Sequence, residues 1–156
     1  RSSVMHVGEL LPAGVLITAD ENQINLSDFL GHPLVLYFYP KADTPGCTTE
    51  GKDFSELMPQ FNELGVRVIG VSKDSPQKLR KFAEKQGLIV TLASDAEGNY
   101  TESFGAWGEK SLYGRTYMGI ERCTFLFDSN GRLVCEWRKV RVKGHALAVL
   151  AAAQSL

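Results

Sequence analysis

Cys47 lies in the segment FYPKADTPGCTTEG (38–51), the part of the chain whose residue types and spacing best suit chemistry. Two prolines and a threonine precede this cysteine, and the other two cysteines lie far downstream. Thr44 is predicted to be the N-cap of a helix, with Pro45 at its first position and Cys47 at its third. Free N–H groups and the helix macrodipole stabilise negative charge in a first turn, so the pattern predicts a cysteine that reacts as its thiolate.

A helix N-terminus alone does not make a thiol an efficient catalyst. Lowering a thiol pKa from ~8.5 to ~6 raises the thiolate fraction at neutral pH by ~30-fold, but intrinsic nucleophilicity falls by ~10–18-fold. The net gain is only ~2–3-fold. A second group must therefore donate hydrogen bonds to the charge that develops on the other reactant.

The segment around Cys47 resembles the peroxidatic motif of the peroxiredoxins, because Pro40, Thr44 and Cys47 form P-x-x-x-T-x-x-C. The stretches YFYPKADTPGCTTEG, GIERCTFLFD and WRKVRVKGHA are similar to the PrxQ/BCP (bacterioferritin comigratory protein) subfamily and follow in its order. The similarity extends over roughly residues 5–153. It implies a thioredoxin-like fold and reduction of hydrogen peroxide or organic hydroperoxides.

The resemblance also implies a role for each of four residues. Cys47 would attack the peroxide O–O bond and become a sulfenic acid. Thr44 would hold the peroxide through its hydroxyl, and Pro40 would shield the sulfur from water. Arg122 matches the family's active-site arginine and would stabilise both the thiolate and the departing oxygen, which is the second contribution required above. No cofactor and no metal are expected.

The sequence contains no cysteine where the subfamily carries a resolving one. Members that use a second cysteine have it five or thirty-six residues after the peroxidatic one, where this chain has Lys52 and Ala83. The sequence alone does not distinguish a natural alanine at position 83 from an engineered replacement of cysteine. We therefore expect a one-cysteine mechanism in which thioredoxin, glutaredoxin or glutathione reduces the sulfenic acid. Gly51, which weakens a helix by ~1 kcal/mol relative to alanine, would ease local unwinding or allow close packing.

Cys123 is expected to be a packing residue, with a position near the active site beside Arg122 as the alternative, and Cys135 is expected to be packed or partly exposed. They lie on the two strands of a predicted hairpin, 122–138, joined by DSNG (128–131). A two-residue turn would place them on opposite faces of the sheet, and a three-residue turn would make them diagonal neighbours ~7–8 Å apart, beyond ordinary disulfide reach. A metal site formed with His145 lacks ligand-type spacing and is not expected.

Alternating elements position these residues. A helix containing residues 54–64 is predicted to end at Gly65, a second spans 74–87, and a third spans 144–156. Strands are predicted at 14–18, 33–39, 66–71, 90–94 and in both halves of 122–138, with a short helix or turn at 98–107 and a loop at 108–119. This order predicts one α/β domain over residues 1–156, with a mixed central sheet, helices on both faces, and a C-terminal hairpin and helix in a thioredoxin-like arrangement.

Composition argues against several partner classes. The net charge of −1 gives no basic surface for nucleic acid, and the longest apolar runs, 33–39 and 146–153, are too short to span a membrane. Three widely spaced cysteines are typical of a reducing compartment, so we expect a bacterial cytoplasmic protein. Because the chain starts at Arg1, a processed organellar protein stays open as an alternative. The resemblance favours a monomer.

Three other functions use a single reactive cysteine or a similar fold. A disulfide oxidoreductase needs C-x-x-C, but residues 47–50 read CTTE. A cysteine hydrolase needs a histidine beside Cys47, and His32 and His145 are expected to be structural or solvated. A non-catalytic peroxide sensor would keep Cys47 and signal through its oxidation. The lack of both resolving cysteines makes the sensor the main alternative.

Overall fold

A computed structural model describes residues 5–156, whose strands form one seven-stranded sheet and one separate two-stranded hairpin. In the large sheet, β3 pairs in parallel with β4 and β4 with β5, while the other pairs are antiparallel. The order is β2-β1-β5-β4-β3-β8-β9, so the predicted mixed sheet is confirmed. The strands are β1 (Val15–Thr18), β2 (Gln23–Asn25), β3 (Leu34–Phe38), β4 (Arg67–Ser72), β5 (Thr91–Ser94), β6 (Trp107–Leu112), β7 (Arg115–Ile120), β8 (Cys123–Phe127) and β9 (Leu133–Trp137).

The helices begin and end at the residues that the sequence marks. Gly65 follows the first long helix with a φ of 71°, and Gly87 ends the next one in the left-handed region. Ser75 caps that second helix by accepting a hydrogen bond from the Lys78 N–H. Within residues 5–156, no helix has the length and apolar character needed to cross a membrane. The helices are α1 (Pro45–Glu63), α2 (Pro76–Gln86), α3 (Tyr100–Ser103) and α4 (His145–Gln154), with a 3-10 turn at Leu26–Phe29.

Two apolar clusters cover the two faces of the large sheet. Side chains of β3 alternate between them, with Val35 and Tyr37 in one cluster and Leu36 and Phe38 in the other. The first cluster also contains residues of α1, α2 and α4, and the second contains Tyr100 of α3 and Phe104, which follows it. Because β3 is buried on both faces, its sequence is a continuous apolar run.

Residues 108–119, predicted as a loop, belong to the β6–β7 hairpin, so that prediction was wrong. The two strands pair in register from Trp107↔Ile120 to a two-residue turn at Tyr113 and Gly114. Both turn residues have positive φ, 51° and 77°, as a tight hairpin turn of the type I′ class requires. The sequence conceals this hairpin because most of its residues are exposed, which removes the alternation of apolar and polar positions, and because the turn lacks the usual Asn-Gly signal.

The predicted β8–β9 hairpin is present, but its register differs from those predicted for a two-residue turn and for a regular three-residue turn. Residues 129–131 form a three-residue turn, and an irregularity at Leu126/Phe127 then shifts the pairing so that Cys135 lies opposite Leu126. Cys123 is fully buried in the cluster on the other face of the sheet. All three cysteines of the chain are free.

His145, the first residue of α4, is a buried structural histidine. Its Nε2 lies 2.7 Å from the Thr124 hydroxyl oxygen, and its ring packs edge-on against Phe54 and Trp137. Burial, together with the positive charge of Arg122, lowers the pKa of His145 to about 4. The imidazole is therefore neutral at physiological pH and serves to dock α4 on the sheet.

His145 should make the fold less stable at acidic pH. Its folded pKa of about 4 lies below the ordinary value of 6.5, so between these pH values the unfolded chain binds a proton that the folded chain does not. Stability therefore falls as the pH decreases through this window. Between pH 7 and pH 4.5, the free energy of unfolding should fall by about 2 kcal/mol more in the wild type than in a His145→Gln variant, whose side chain can still hydrogen-bond Thr124. Urea unfolding at several pH values between 7 and 4.5 measures it.

His32→Gln is the matched control, since His32 is exposed. Comparing each variant with the wild type at the same pH cancels the titration of all other groups. An identical pH dependence in wild type and His145→Gln would contradict the prediction.

Candidate active site

Cys47 lies in the first turn of α1, at the position that the sequence predicted. Thr44 is the N-cap residue with extended backbone (φ −99°, ψ 156°), and Pro45 follows as the first helical residue. The cysteine is only 2% exposed and borders the apolar cluster between the sheet and α1. Burial of this kind also suits an inert packing cysteine, so the polar groups that contact the sulfur decide what it can do.

Arg122 supplies that polar contact. Its Nη2 lies 3.3 Å from the Cys47 sulfur, and its Nη1 donates a hydrogen bond of 2.6 Å to Oε1 of Glu50. Burial acts to lower the pKa of Arg122, but the negative charges of Glu50 and Cys47 outweigh it, so the pKa lies above its ordinary value. The guanidinium therefore stays positively charged beside the sulfur.

The pairing of β3 with β8 brings Arg122 to Cys47 across 75 residues of sequence. Phe38 at the end of β3 lies opposite Cys123 at the start of β8, so Arg122 lies beside the end of β3. The chain leaves β3 at that end, forms the loop 39–44 and enters α1. The cysteine and the arginine thus meet because one strand register fixes both segments.

Glu50 is a site residue that the sequence analysis missed. It follows Cys47 by three residues on α1, a spacing that places both side chains on one face of the helix. Glu50 is 1% exposed, and burial raises its pKa to about 7 against the opposing effect of Arg122. An active-site arginine needs a partner that orients it, and the carboxylate three residues after Cys47 in CTTE could serve as that partner. This spacing is the signal that could have identified Glu50.

Gly46 leaves room for the guanidinium. A Cβ atom at this position would lie 3.1 Å from Nη2 of Arg122, which is closer than ordinary van der Waals contact. The glycine between Pro45 and Cys47 therefore allows the arginine to approach the first turn of α1.

Thr44 corrects one detail of the sequence-based expectation. It is the N-cap by backbone geometry, but its side chain makes no capping hydrogen bond. Instead the hydroxyl donates to the carbonyl oxygen of Lys41 at 2.8 Å. With its hydrogen engaged there, the hydroxyl oxygen has lone pairs available to accept a hydrogen bond. Pro40, half-buried, begins the same loop.

Hydrogen bonds to neighbouring elements hold the loop before Cys47 in place. The Ala42 N–H donates to Oδ2 of Asp74 at 2.7 Å. Asp43, with a φ of 62°, accepts hydrogen bonds from Lys85 at 2.9 Å and Gln86 at 3.2 Å, near the end of α2. These bonds, chiefly the one from Lys85, lower the pKa of Asp43. The loop is thus tied both to the end of β4 and to α2.

The two positions where the subfamily carries a resolving cysteine lie on different surfaces. Lys52 is exposed on α1, and Ala83 on α2 is half-buried against the cluster that contains Cys47. Gly51 is buried, and a Cβ atom there would lie 2.9 Å from Cδ1 of Leu88. Close packing, one of the two explanations considered for Gly51, is therefore observed. Among residues 5–156, no group of three or more His, Cys, Asp and Glu side chains could hold a metal ion.

Comparison with known proteins identifies the family. The model of the AhpC/TSA family matches residues 7–135. The chain belongs to the AhpC/TSA family. It is 49% identical to peroxiredoxin Bcp of Xanthomonas campestris over 130 residues, which cover 83% of this chain and 81% of that protein. It is 47% identical to peroxiredoxin Bcp of Bacillus subtilis over 146 residues, which cover 94% of this chain and 93% of that protein.

Solved structures of PrxQ and bacterioferritin comigratory proteins share the fold. Xanthomonas campestris bacterioferritin comigratory protein, trapped as an intermediate/ligand complex and studied for its alkyl peroxide reduction activity, matches with a TM-score of 0.87 and 42% identity, covering 94% of this chain and 98% of that one. A cysteine-to-serine mutant of Xylella fastidiosa PrxQ matches with a TM-score of 0.93 and 39% identity, covering 99% and 98%. The predicted PrxQ/BCP subfamily and thioredoxin-like fold are confirmed, and the chain is a peroxiredoxin. These relatives do not favour the sensor alternative.

Gly46→Ala tests whether the contact between the arginine and the sulfur matters in this peroxiredoxin. The added methyl group should displace the Arg122 guanidinium by a few tenths of an ångström and slow oxidation of Cys47 by hydrogen peroxide by about 10-fold, since the displaced group stabilises developing charge. Stopped-flow measurement of the second-order rate constant gives the effect. Gly108→Ala is the matched control, because a Cβ there meets no atom within 4 Å. Wild-type kinetics in a folded Gly46→Ala variant would contradict the prediction.

Proposed function

We propose that this peroxiredoxin reduces hydrogen peroxide and organic hydroperoxides through the thiolate of Cys47. The observation that supports this assignment most directly is the 3.3 Å contact between the Cys47 sulfur and Nη2 of Arg122. The guanidinium places a permanent positive charge where the nucleophile and the reacting oxygen atoms must meet. Its hydrogen bond to Glu50 fixes the orientation of the guanidinium.

In the first step, the thiolate sulfur attacks one oxygen of the hydroperoxide. A sulfur–oxygen bond forms, the O–O bond breaks, and the attacked oxygen stays on Cys47 with its hydrogen as a sulfenic acid. The other oxygen leaves as alkoxide or hydroxide and takes a proton from water. Cys47 is oxidised by two electrons and the peroxide is reduced by two. Arg122 stabilises the negative charge as it moves from sulfur to the departing oxygen.

Thr44 and Pro40 complete the proposed site. With its hydrogen given to Lys41, the Thr44 hydroxyl oxygen would accept a hydrogen bond from the O–H of the peroxide. Pro40 has no N–H that would need solvation, so it suits a residue that covers the sulfur against water. We assign these roles from the motif and from the position of both residues on the loop that leads to Cys47.

In the second step, an external thiol reduces the sulfenic acid. The thiol condenses with it to a mixed disulfide and releases water, and a second thiol then restores Cys47. Thioredoxin, glutaredoxin and glutathione are the candidate reductants. Burial raises the pKa of Cys123 to about 12, and burial also raises the pKa of Cys135, so both thiols stay protonated and are poor internal nucleophiles. Lys52 and Ala83 offer no thiol.

Three expectations accompany this proposal. One domain over residues 1–156 agrees with the single central sheet. The free thiols are compatible with a reducing compartment such as the cytoplasm. The monomeric state is inferred from the subfamily. Size-exclusion chromatography with light scattering tests the last of these.

A mass measurement tests the one-cysteine route. One equivalent of hydrogen peroxide should add about 16 Da to the wild-type chain, as expected for a sulfenic acid that dimedone traps. Cys47→Ser should show no such addition, and Cys135→Ser should behave like the wild type. A loss of about 2 Da in the wild type would reveal an internal disulfide and contradict the proposal.

Arg122→Lys tests the role of the planar guanidinium. A lysine keeps the charge but cannot contact Glu50 and the Cys47 sulfur through two nitrogens at once, so peroxide oxidation should slow by about 100-fold. Arg80→Lys, on the exposed face of α2, is the matched control and should leave the rate constant unchanged. If Arg122→Lys reacts as fast as the wild type, a simple positive charge suffices and the bridging geometry is not required.

A further inference from the structure

The direction of the Thr44 hydroxyl depends on one peptide unit of the loop before Cys47. The hydroxyl donates to the carbonyl oxygen of Lys41 at 2.8 Å, while the N–H of Ala42 donates to Oδ2 of Asp74 at 2.7 Å. The carbonyl of Lys41 and the N–H of Ala42 belong to the same peptide unit. One planar group therefore connects the hydroxyl of Thr44 on one side to the carboxylate of Asp74 on the other.

Planarity makes this peptide unit a rigid connection. In a trans peptide the C=O and N–H bonds lie in one plane and point in opposite directions. A carboxylate that holds the N–H therefore also fixes the direction of the carbonyl. The charge-assisted bond from the Ala42 N–H to Asp74 also polarises the peptide unit, which makes its carbonyl oxygen a stronger acceptor for the Thr44 hydroxyl.

Asp74 can hold this peptide unit firmly because two strands of the large sheet fix its own position. The Ser72 hydroxyl, fully buried at the end of β4, donates to Oδ2 of Asp74 at 2.8 Å. The same hydroxyl oxygen accepts a hydrogen bond from the Asp74 N–H at 3.2 Å. The Ser94 hydroxyl at the end of β5 donates to the carbonyl oxygen of Asp74 at 2.5 Å. The carboxylate is thus positioned by the sheet and not by the loop that it contacts.

The bond from Thr44 to Lys41 decides what its hydroxyl can offer to a hydroperoxide. A hydroxyl has one hydrogen to donate and two lone pairs that accept. With the hydrogen directed to the loop, the oxygen can only accept, which suits the O–H of a hydroperoxide. If the carbonyl of Lys41 turned away, the hydroxyl could rotate and cap α1, as an N-cap threonine usually does. The direction of this carbonyl therefore determines the contact with the substrate.

We propose that Asp74 is a positioning residue for the peroxidase reaction and acts on the hydroperoxide through the peptide unit 41–42 and the Thr44 hydroxyl. Its carboxylate binds the Ala42 N–H and not the hydroxyl itself, so its effect is transmitted by the loop. The inference rests on the proposed function, in which Thr44 contacts the peroxide. It adds a residue outside the P-x-x-x-T-x-x-C motif to those needed for fast oxidation of Cys47.

Two reactions of Cys47 separate positioning of the peroxide from general damage to the site. Oxidation by hydrogen peroxide uses the Thr44 hydroxyl, whereas alkylation by iodoacetamide needs the thiolate but not that hydroxyl. In Asp74→Ala, stopped-flow measurement should show peroxide oxidation slowed by about 10-fold, as expected for loss of one oriented hydrogen bond. The alkylation rate should stay at the wild-type value. Asp74→Asn keeps an acceptor oxygen for the Ala42 N–H and should recover most of the peroxide rate.

A double-mutant cycle identifies the residue through which Asp74 acts. Thr44→Val removes the hydroxyl without removing a cap, since this side chain makes no capping hydrogen bond. If Asp74 acts only through that hydroxyl, the variant carrying both Thr44→Val and Asp74→Ala should react with peroxide as slowly as Thr44→Val alone. Should Asp74→Ala fail to fold, Asp74→Glu replaces it in the cycle, because it keeps the charge but displaces the carboxylate by one methylene.

Asp128→Ala is the matched control for loss of a loop aspartate. Asp128 is also partly buried and accepts backbone N–H bonds, from Asn130 at 2.9 Å and from Arg132 at 3.0 Å. It lies in the β8–β9 turn, at the end of β8 away from Arg122. This variant should leave the rates of oxidation and alkylation unchanged.

The contrary results are distinguishable. A wild-type chain whose Cys47 does not react with hydrogen peroxide would contradict the proposed function, and the inference with it. Equal slowing of oxidation and alkylation in Asp74→Ala would assign Asp74 a general structural role and overturn the inference alone. Multiplied effects in the double variant would show that Asp74 acts independently of Thr44, and would likewise overturn the inference while leaving the peroxidase function in place.

Discussion

The guanidinium of Arg122 between the Cys47 sulfur and Glu50 is the interaction on which the site depends. A thiolate and a carboxylate on one buried face of a helix repel each other, and each is strongly destabilised without a counter-charge. Arginine solves both problems because its planar fork presents separate nitrogens to the two anions. Glu50 has a pKa raised to about 7 although it is paired, which means that burial outweighs its attraction to Arg122. Burial thus makes Glu50 easier to protonate than an ordinary glutamate, whereas Arg122 keeps its positive charge beside the sulfur.

Packing beneath the site keeps α1 in the position that this contact requires. Tyr37 of β3 stacks on Phe54 of α1 with ring centroids 4.5 Å apart. A Cβ atom at Gly70 would lie 2.5 Å from Cζ of Tyr37, so the glycine in the neighbouring strand leaves space for the ring. Since β3 also sets the register of β8, the same strand positions both the helix that carries Cys47 and the residue that precedes β8. The register between β3 and β8 therefore determines the distance between Arg122 and Cys47.

The sequence predicts the elements that depend on local signals and misses those that depend on tertiary contacts. The start of α1 follows from the preference of proline for the first helical position, and the end of α2 follows from the left-handed conformation of Gly87; both are observed. The β6–β7 hairpin was missed because its exposed strands lack alternation. The register of β8 and β9 could not be deduced because an irregularity at Leu126/Phe127 has no local sequence signature.

At the candidate site, residue identity was more predictable than side-chain geometry. Cys47 and Arg122 were identified by motif, and the structure brings them into contact. Glu50 was missed because a glutamate in a helix is usually solvated, and its burial becomes evident only when Arg122 lies beside it. The direction of the Thr44 hydroxyl was also unpredictable, because capping α1 and donating to Lys41 are alternative local hydrogen bonds.

Burial of Cys47 has opposite effects on the two halves of a peroxidase cycle. A site with little water strengthens the attraction between the guanidinium and the developing charge, which favours attack on the peroxide. The same closure hinders any large reductant. A resolving cysteine on α2, at the position that the subfamily uses, would have to bring its sulfur to that of Cys47. Here Ala83 occupies that position, and two residues of the same helix, Lys85 and Gln86, bind Asp43 of the loop. Because no thiol on α2 has to reach Cys47, these bonds do not obstruct the cycle, and they hold the first turn of α1 in the geometry that the arginine requires.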